Sequence, residues 1–205
     1  MENNYAIQAK QAKKLFLGYD QEKLIEKLRL AFDETYLYVR FLGAPYRIHR
    51  KTGDAQRQVG EAWVDGNSHG EIMTLMDLVC DSKEDRHLSG RWKNMADFGL
   101  LFHRNHLEQE KDPWAEKFQN DQAGFRRACA ALGGKPVKLG DIGYAIEVFD
   151  GLPIALQLWL GDDEFPPNLR FLWDENALQY IRYETMFYCL GVLLDRIQEE
   201  MAKNL

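Results

Sequence analysis

At 205 residues, with 45% hydrophobic and 28% charged side chains, the chain has the composition of an ordinary folded protein. It is long enough to bury roughly 70% of the surface its unfolded form would expose, which argues against disorder. A formal charge of −6 argues against a general nucleic-acid binder, which gathers Lys and Arg on one face to meet phosphates.

Met1 to Lys14 scatters lysines without the apolar core of a signal peptide, so no export is expected. Tyr5, Ala9, Ala12 and Phe16 recur at helical spacing up to a stop at Gly18. Asp20 can cap a second helix whose apolar stripe runs Leu24, Ile25, Leu28, Ala31, Phe32, completing a helical hairpin. From Thr35 to Leu42 β-branched and aromatic residues take over, Gly43-Ala44-Pro45 breaks the run, and residues 46–50 resume it, which predicts a β-hairpin. Lys51 to Asp54 is a turn, and Ala55 to Val64 adds a third, more polar strand. Ser68 and Glu71 have capping-box spacing ahead of Ile72, Leu75, Met76 and Val79, so a third helix starts there. Asp81 to Leu107 has no clean period and reads as irregular, with a short extended piece near Trp92.

Asp112-Pro113 is a cap and first-turn pair. Asp121 then precedes Phe125, Ala128, Cys129 and Leu132, with Gly133-Gly134 ending that helix. Beyond Pro136 the pattern alternates: Tyr144, Ile146 and Val148 against Ala145, Glu147 and Phe149, a turn at Asp150-Gly151, then Ile154, Leu156, Leu158 and Leu160. Leu169 to Trp173 supplies a third strand, giving an antiparallel meander with one face against helices. The last helix, from about Tyr183, carries Met186, Leu190, Leu193, Ile197 and Met201 on one stripe. Its apolar run, Met186 to Leu194, is about half a bilayer span, so no membrane association is expected. No repeat or linker divides the sequence. The expected architecture is one α+β domain over residues 1–205, an antiparallel sheet (N-terminal hairpin plus C-terminal three-stranded meander) packed by several helices.

Three groups of residues together resemble a known family: Phe41-Leu42-Gly43 with Tyr46, then Leu88-Ser89-Gly90-Arg91-Trp92, then the segment Leu156 to Pro166 with its Trp159-Leu160-Gly161-Asp162-Asp163-Glu164-Phe165. They are similar to the bacterial and archaeal domain-of-unknown-function 3786 family, in the same order over almost the whole chain. The resemblance implies a family without an assigned activity, some members of which carry an extra N-terminal iron–sulfur domain related to those of corrinoid and one-carbon enzymes. The cysteine cluster of such a domain is missing here. Where the family has a Phe-Arg-Glu run after its Gly-x-Trp, this chain has Met95-Ala96-Asp97, so an anion-binding arginine there would be lost.

Each candidate site has a plainer reading beside it. His103 and His106, with Glu108 near, would share a helical face as two metal ligands must, but short His pairs commonly stand in solvent. Asp162, Asp163 and Glu164 could hold a cation or exchange protons, although Asp before Pro166-Pro167 also suits a turn. Trp92, Trp159 and Trp173 could line a pocket or fill the core, and strand alternation sets Trp159 opposite Leu156, Leu158 and Leu160. Arg47, His49, Arg50 and Lys51, with Arg57, form a basic patch that could hold an anion or protect a sheet edge. Cys80, Cys129 and Cys189, far apart and inside apolar helical patterns, point to a reducing, cytoplasmic setting. No serine elbow or phosphate loop is present, so no catalytic constellation emerges and no cofactor is named. The first functional reading is a non-catalytic binding module, its binding residues Gly90, Trp92, Trp159, Asp162, Asp163, Glu164 and Phe165, its partner a small molecule or a protein. Two others stay open: a metal-assisted hydrolase using the His pair and the acidic loop, and a structural homo-oligomer built on Trp159.

Overall fold

The structure, a computed structural model, describes residues 4–65, 67–98 and 112–203. The fold is α+β: two open, five-stranded antiparallel sheets with six α-helices among the described residues. The chain gathers into two compact units, each drawn from two stretches: Met1–His87 with Leu178–Leu193, and Leu88–Ala177 with Leu194–Leu205.

In the first unit α1 (Asn4–Gly18) buries Ala12 and Phe16. The carboxylate of Asp20 caps α2 (Gln21–Leu28) by accepting the Lys23 N–H. This helix is shorter than its apolar stripe suggests. Arg29 takes a left-handed conformation (φ 52°) and Leu30 N–H closes on the Ile25 carbonyl, so Ala31 and Phe32 leave the helix and form strand β1 (Ala31–Phe32). β2 (Tyr36–Phe41) and β3 (Ala44–His49) are joined by the two-residue turn Leu42-Gly43, both at positive φ, the geometry that matches strand twist. The break expected at Gly43-Ala44-Pro45 is therefore confined to the turn, and Pro45 lies within β3 opposite Arg40. Phe41 and Ala44 flank the turn as the hydrogen-bonded pair, so the next pair needs no N–H from Pro45 toward β2.

β4 (Ala55–Val59) and β5 (Ala62–Val64) extend the order to β1-β2-β3-β4-β5. Leu37, Val39, Phe41, Tyr46 and Ile48 point into the core. Tyr36, Tyr38, Arg47, His49, Gln56 and Trp63 stand on the opposite, solvent face, in register as Tyr36↔His49, Tyr38↔Arg47 and Arg47↔Gln56. α3 (His69–Asp81) begins with the expected capping box between Ser68 and Glu71. The Glu71 carboxylate also accepts the buried Tyr46 hydroxyl at 2.6 Å, tying the helix start to the sheet.

In the second unit the sheet is β6-β10-β9-β8-β7, comprising β6 (Trp92–Asn94), β7 (Lys135–Pro136), β8 (Ile142–Phe149), β9 (Leu152–Trp159) and β10 (Asn168–Asp174). The meander read from alternation is its centre, and β6 and β7 add the edges. Asp112 caps α4 (Pro113–Asn120) through Oδ1, while its Oδ2 accepts the Leu169 N–H at 3.0 Å and so ties that helix to β10. Asp121 caps α5 (Gln122–Ala131). Phe118 of α4 stacks on Phe125 of α5, and Phe125 meets Tyr144 edge-on, which seats both helices on the face carrying Ile146, Ile154, Leu156 and Trp173. α6 (Tyr183–Ala202), the long C-terminal helix expected from the apolar stripe, belongs to the first unit as far as Leu193 and to the second beyond it, with Met186, Leu193 and Ile197 fully buried.

Candidate functional site

The segments singled out in the sequence fall at opposite ends of β10. Trp92 pairs with Asp174 at one end and Trp159 with Asn168 at the other. Six residues of extended chain separate them by about 20 Å, so the two groups do not form one site.

At the first end Asp174, 3% exposed, accepts backbone N–H groups from Ser89 (2.9 Å), Gly90 (2.8 Å) and Asn176 (2.8 Å). Burial alone would raise its carboxyl, but the bonds from Ser89, Asn176 and Gly90 outweigh it and hold the group below the ordinary carboxylate value. Gly90 sits at φ +74°, a conformation that costs glycine little. The Ser89-Gly90 turn is thus wrapped around a carboxylate of the sheet, with Trp92 partly exposed beside it.

At the other end the acidic loop closes on itself. Asp162 N–H donates to the Phe165 carbonyl, and its Oδ1 accepts the Glu164 and Phe165 N–H groups at 2.9 and 2.8 Å. The bonds from Phe165 and Glu164 hold the Asp162 carboxyl below its ordinary value. Asp163 and Glu164 stand in solvent, and Trp159 (45% exposed) and Phe165 (67%) flank them as free apolar surface. Trp173, by contrast, is core. His103, His106 and Glu108 lie outside the described residues. Among the described residues no group of three or more His, Cys, Asp or Glu is placed to hold a metal ion. Cys80, Cys129 and Cys189 are buried free thiols. Desolvation pushes Cys80 and Cys129 up to about 12 and raises Cys189 as well, the reverse of what a nucleophile needs.

A cavity of about 330 Å³ opens instead at one end of the solvent face of the N-terminal sheet, lined by Tyr36, His49, Gln56, Asp65 and Asn67 together with Lys13, Asp54 and Ile72. Its lining comes from α1, from three strands, from the approach to α3 and, through Ile72, from α3 itself. Lys13 Nζ pairs with Asp54 Oδ1 at 2.8 Å, and Thr52 Oγ1 donates to Asp54 Oδ2. The bonds from Lys13 and Thr52 hold the Asp54 carboxyl below its ordinary value. Gly53, at φ +71°, allows the close approach, since a Cβ there would lie 3.1 Å from Lys13 Cβ. His49 Nδ1 accepts the Lys51 N–H, which leaves Nε2 to carry the proton of the neutral ring. Asp65 Oδ1 accepts from Gln56 Nε2 at 2.9 Å, and Asn67 Nδ2 donates to the Ala55 carbonyl. Among the described residues Asp65 Oδ2, Asn67 Oδ1 and His49 Nε2 keep their hydrogen-bonding capacity.

Arg47 lies against two of the lining residues. Its Nε donates to Gln56 Oε1 at 2.6 Å, and its guanidinium stacks 4.1 Å from the Tyr36 ring centre and 4.7 Å from that of Trp63. The basic patch read from the sequence therefore divides. Arg50 is spent on Glu22, Gln21 and the Asp33 carbonyl, whereas the terminal nitrogens of Arg47 have no partner among the described residues. Arg47 is also on the central strand, so edge protection does not explain it. Lys13, Tyr36, Asp54, Gln56, Asp65 and Asn67 carry no motif. The only local signal was the strand alternation that sets Tyr36, Arg47 and His49 on one face.

Fold and site together describe an α+β protein whose N-terminal sheet carries a mixed-charge cavity on its solvent face. The chain belongs to the family described as Domain of unknown function (DUF3786), whose model matches residues 20–196. No curated protein and no solved structure matches it.

Proposed function

We propose that this chain is a non-catalytic module that binds a small polar molecule, and that the cavity on the N-terminal sheet is its site. The observation that carries the reading is the convergence of Asp65, Asn67 and His49, each with unspent hydrogen-bonding capacity, on one cavity beside the aromatic ring of Tyr36. Its volume lies at the low end of the roughly 300–1,000 Å³ usual for small-molecule sites, which suits a metabolite-sized ligand. The buried free thiols favour a reducing compartment, the cytoplasm of a bacterial or archaeal cell. The net negative charge argues against nucleic acid. The test is an amide-shift titration of labelled protein with a library of small metabolites. Shifts should gather on Tyr36, His49, Asp65 and Asn67 and be lost in Tyr36→Ala; shifts gathered on residues 159–165 instead would sink the assignment.

A second reading concerns the other unit, because Trp159 and Phe165 expose large rings on either side of the acidic loop. There the partner would be a protein, a second copy included. Trp159→Ala should then lower the mass in solution without lowering stability; an unchanged mass removes the second copy as partner.

A further inference from the structure

We propose that the ligand of this cavity is a small zwitterion of the α-amino-acid type, its carboxylate taken by Arg47 and its ammonium by Asp65. The proposal rests on the small-ligand reading of the same site. Its basis is a single amide that holds two opposite charges apart: Gln56 accepts from Arg47 Nε through Oε1 (2.6 Å) and donates to Asp65 Oδ1 through Nε2 (2.9 Å).

A guanidinium offers five N–H donors in one plane. Here Nε is spent and the Tyr36 and Trp63 rings stack on the group, so what remains is the fork of the two terminal nitrogens. Such a fork pairs bidentately with a carboxylate, and stacking orients it before the ligand arrives. Asp65 keeps Oδ2 for a donor from outside the protein, and it stands exposed at the cavity rim. Lys13 and Asp54 pair with each other, so of the two carboxylates in the lining Asp65 is the one without an ion-pair partner among the described residues, while Asp33 acts on Arg47 through space and leaves the fork open.

The spacing also fits. The oxygen and nitrogen of an amide lie about 2.3 Å apart, and an ammonium nitrogen and a carboxyl carbon joined through one carbon lie about 2.5 Å apart. A ligand head laid alongside the Gln56 amide therefore matches the amide in length, with its ammonium toward Asp65 and its carboxylate toward Arg47, each a hydrogen bond beyond one end of the amide. A dicarboxylate would set a negative charge against Asp65 and a diamine a positive one against Arg47, so the sign pattern rejects both. The ligand's side chain would enter the cavity past Tyr36 and Ile72, where Asn67 Oδ1 and His49 Nε2 can meet a polar group.

The experiment is calorimetric titration of the full chain with free α-amino acids at millimolar concentration, followed by the N-acetyl and carboxamide derivatives of the best binder. At least one amino acid should bind, and each blocked form should bind at least about tenfold more weakly. Asp65→Asn, an exposed change that leaves the core untouched, should abolish the preference for the free ammonium, and Arg47→Gln the preference for the free carboxylate. Binding of the blocked forms at equal strength, or no binding by any amino acid, overturns the proposal. A parallel titration with neutral and singly charged fragments, read at the His49 and Asn67 amides, separates the two levels. Fragments that shift those amides while amino acids do not would end the zwitterion and leave the cavity; silence from both would end both.

Discussion

Replacing Asp174 with Asn tests whether the Leu88 to Trp92 segment is held by its own backbone chemistry. In the native protein Oδ1 serves Ser89 and Asn176 and Oδ2 serves Gly90. An asparagine keeps one acceptor oxygen, so its NH2 must face at least one backbone N–H, and the remaining bonds lose their charge assistance. A hydrogen bond to a charged group contributes about 1.5–3 kcal/mol, and Ser89 and Gly90 can recover part of the loss from water. The expected cost is about 2–3 kcal/mol, or roughly 4–12 °C in melting temperature for a chain of this length. Urea and thermal unfolding followed by tryptophan fluorescence measure it. The pH dependence has a defined sign: the folded carboxyl lies below its ordinary value of 3.8, so its contribution is complete above that value and fades as pH falls through the lower folded one. Wild type and variant should therefore differ near neutrality and converge in strong acid. A difference under about 0.5 kcal/mol at neutral pH, or one that survives unchanged into strong acid, would refute the reasoning.

Gly53→Ala places a Cβ 3.1 Å from Lys13 Cβ at a positive φ, and should cost about 1–2 kcal/mol in urea unfolding; a neutral result would mean α1 can retreat from the turn. Tyr19 donates to Asp81 Oδ1 at 2.6 Å, and that bond, with burial behind it, pushes the phenol up to about 12. Ultraviolet titration should find one tyrosine ionising late, restored toward 10 by Asp81→Asn; because the folded value is the higher one, this group makes stability fall as pH climbs from 10 to 12. The three thiols should resist iodoacetamide in the folded protein at neutral pH and all react in guanidinium, and prompt native labelling of Cys80 or Cys129 would contradict their raised values.

What was legible in the sequence is what acts over a few residues. Asp20, the Ser68–Glu71 pair, Asp112 and Asp121 announce their helices because a cap reaches an amide only two or three positions away. Alternation likewise placed Trp159 on the face away from Leu158. The end of α2 was hidden because its left-handed residue is Arg29, with no glycine to mark it, and the two-residue strands at Ala31 and Lys135 are too short to show a period. Loops rich in aromatic and acidic residues drew attention as binding segments, yet the Asp162 carboxylate is occupied by its own turn. The cavity left almost no local trace, since Lys13 and Asp54, paired in its wall, are 41 positions apart.

Because neither compact unit is a continuous stretch of chain, the order of synthesis matters. The segment that completes the first unit, Leu178–Leu193, emerges only after about 90 further residues have been made, which at ribosomal speed takes roughly 5–20 s. Until then the face of α3 that will meet Tyr188 and Val192 through Gly70 and His69, and Arg182 through Asp77, has no native cover, and the nascent helix must wait, exposed, for the far end of its own polypeptide.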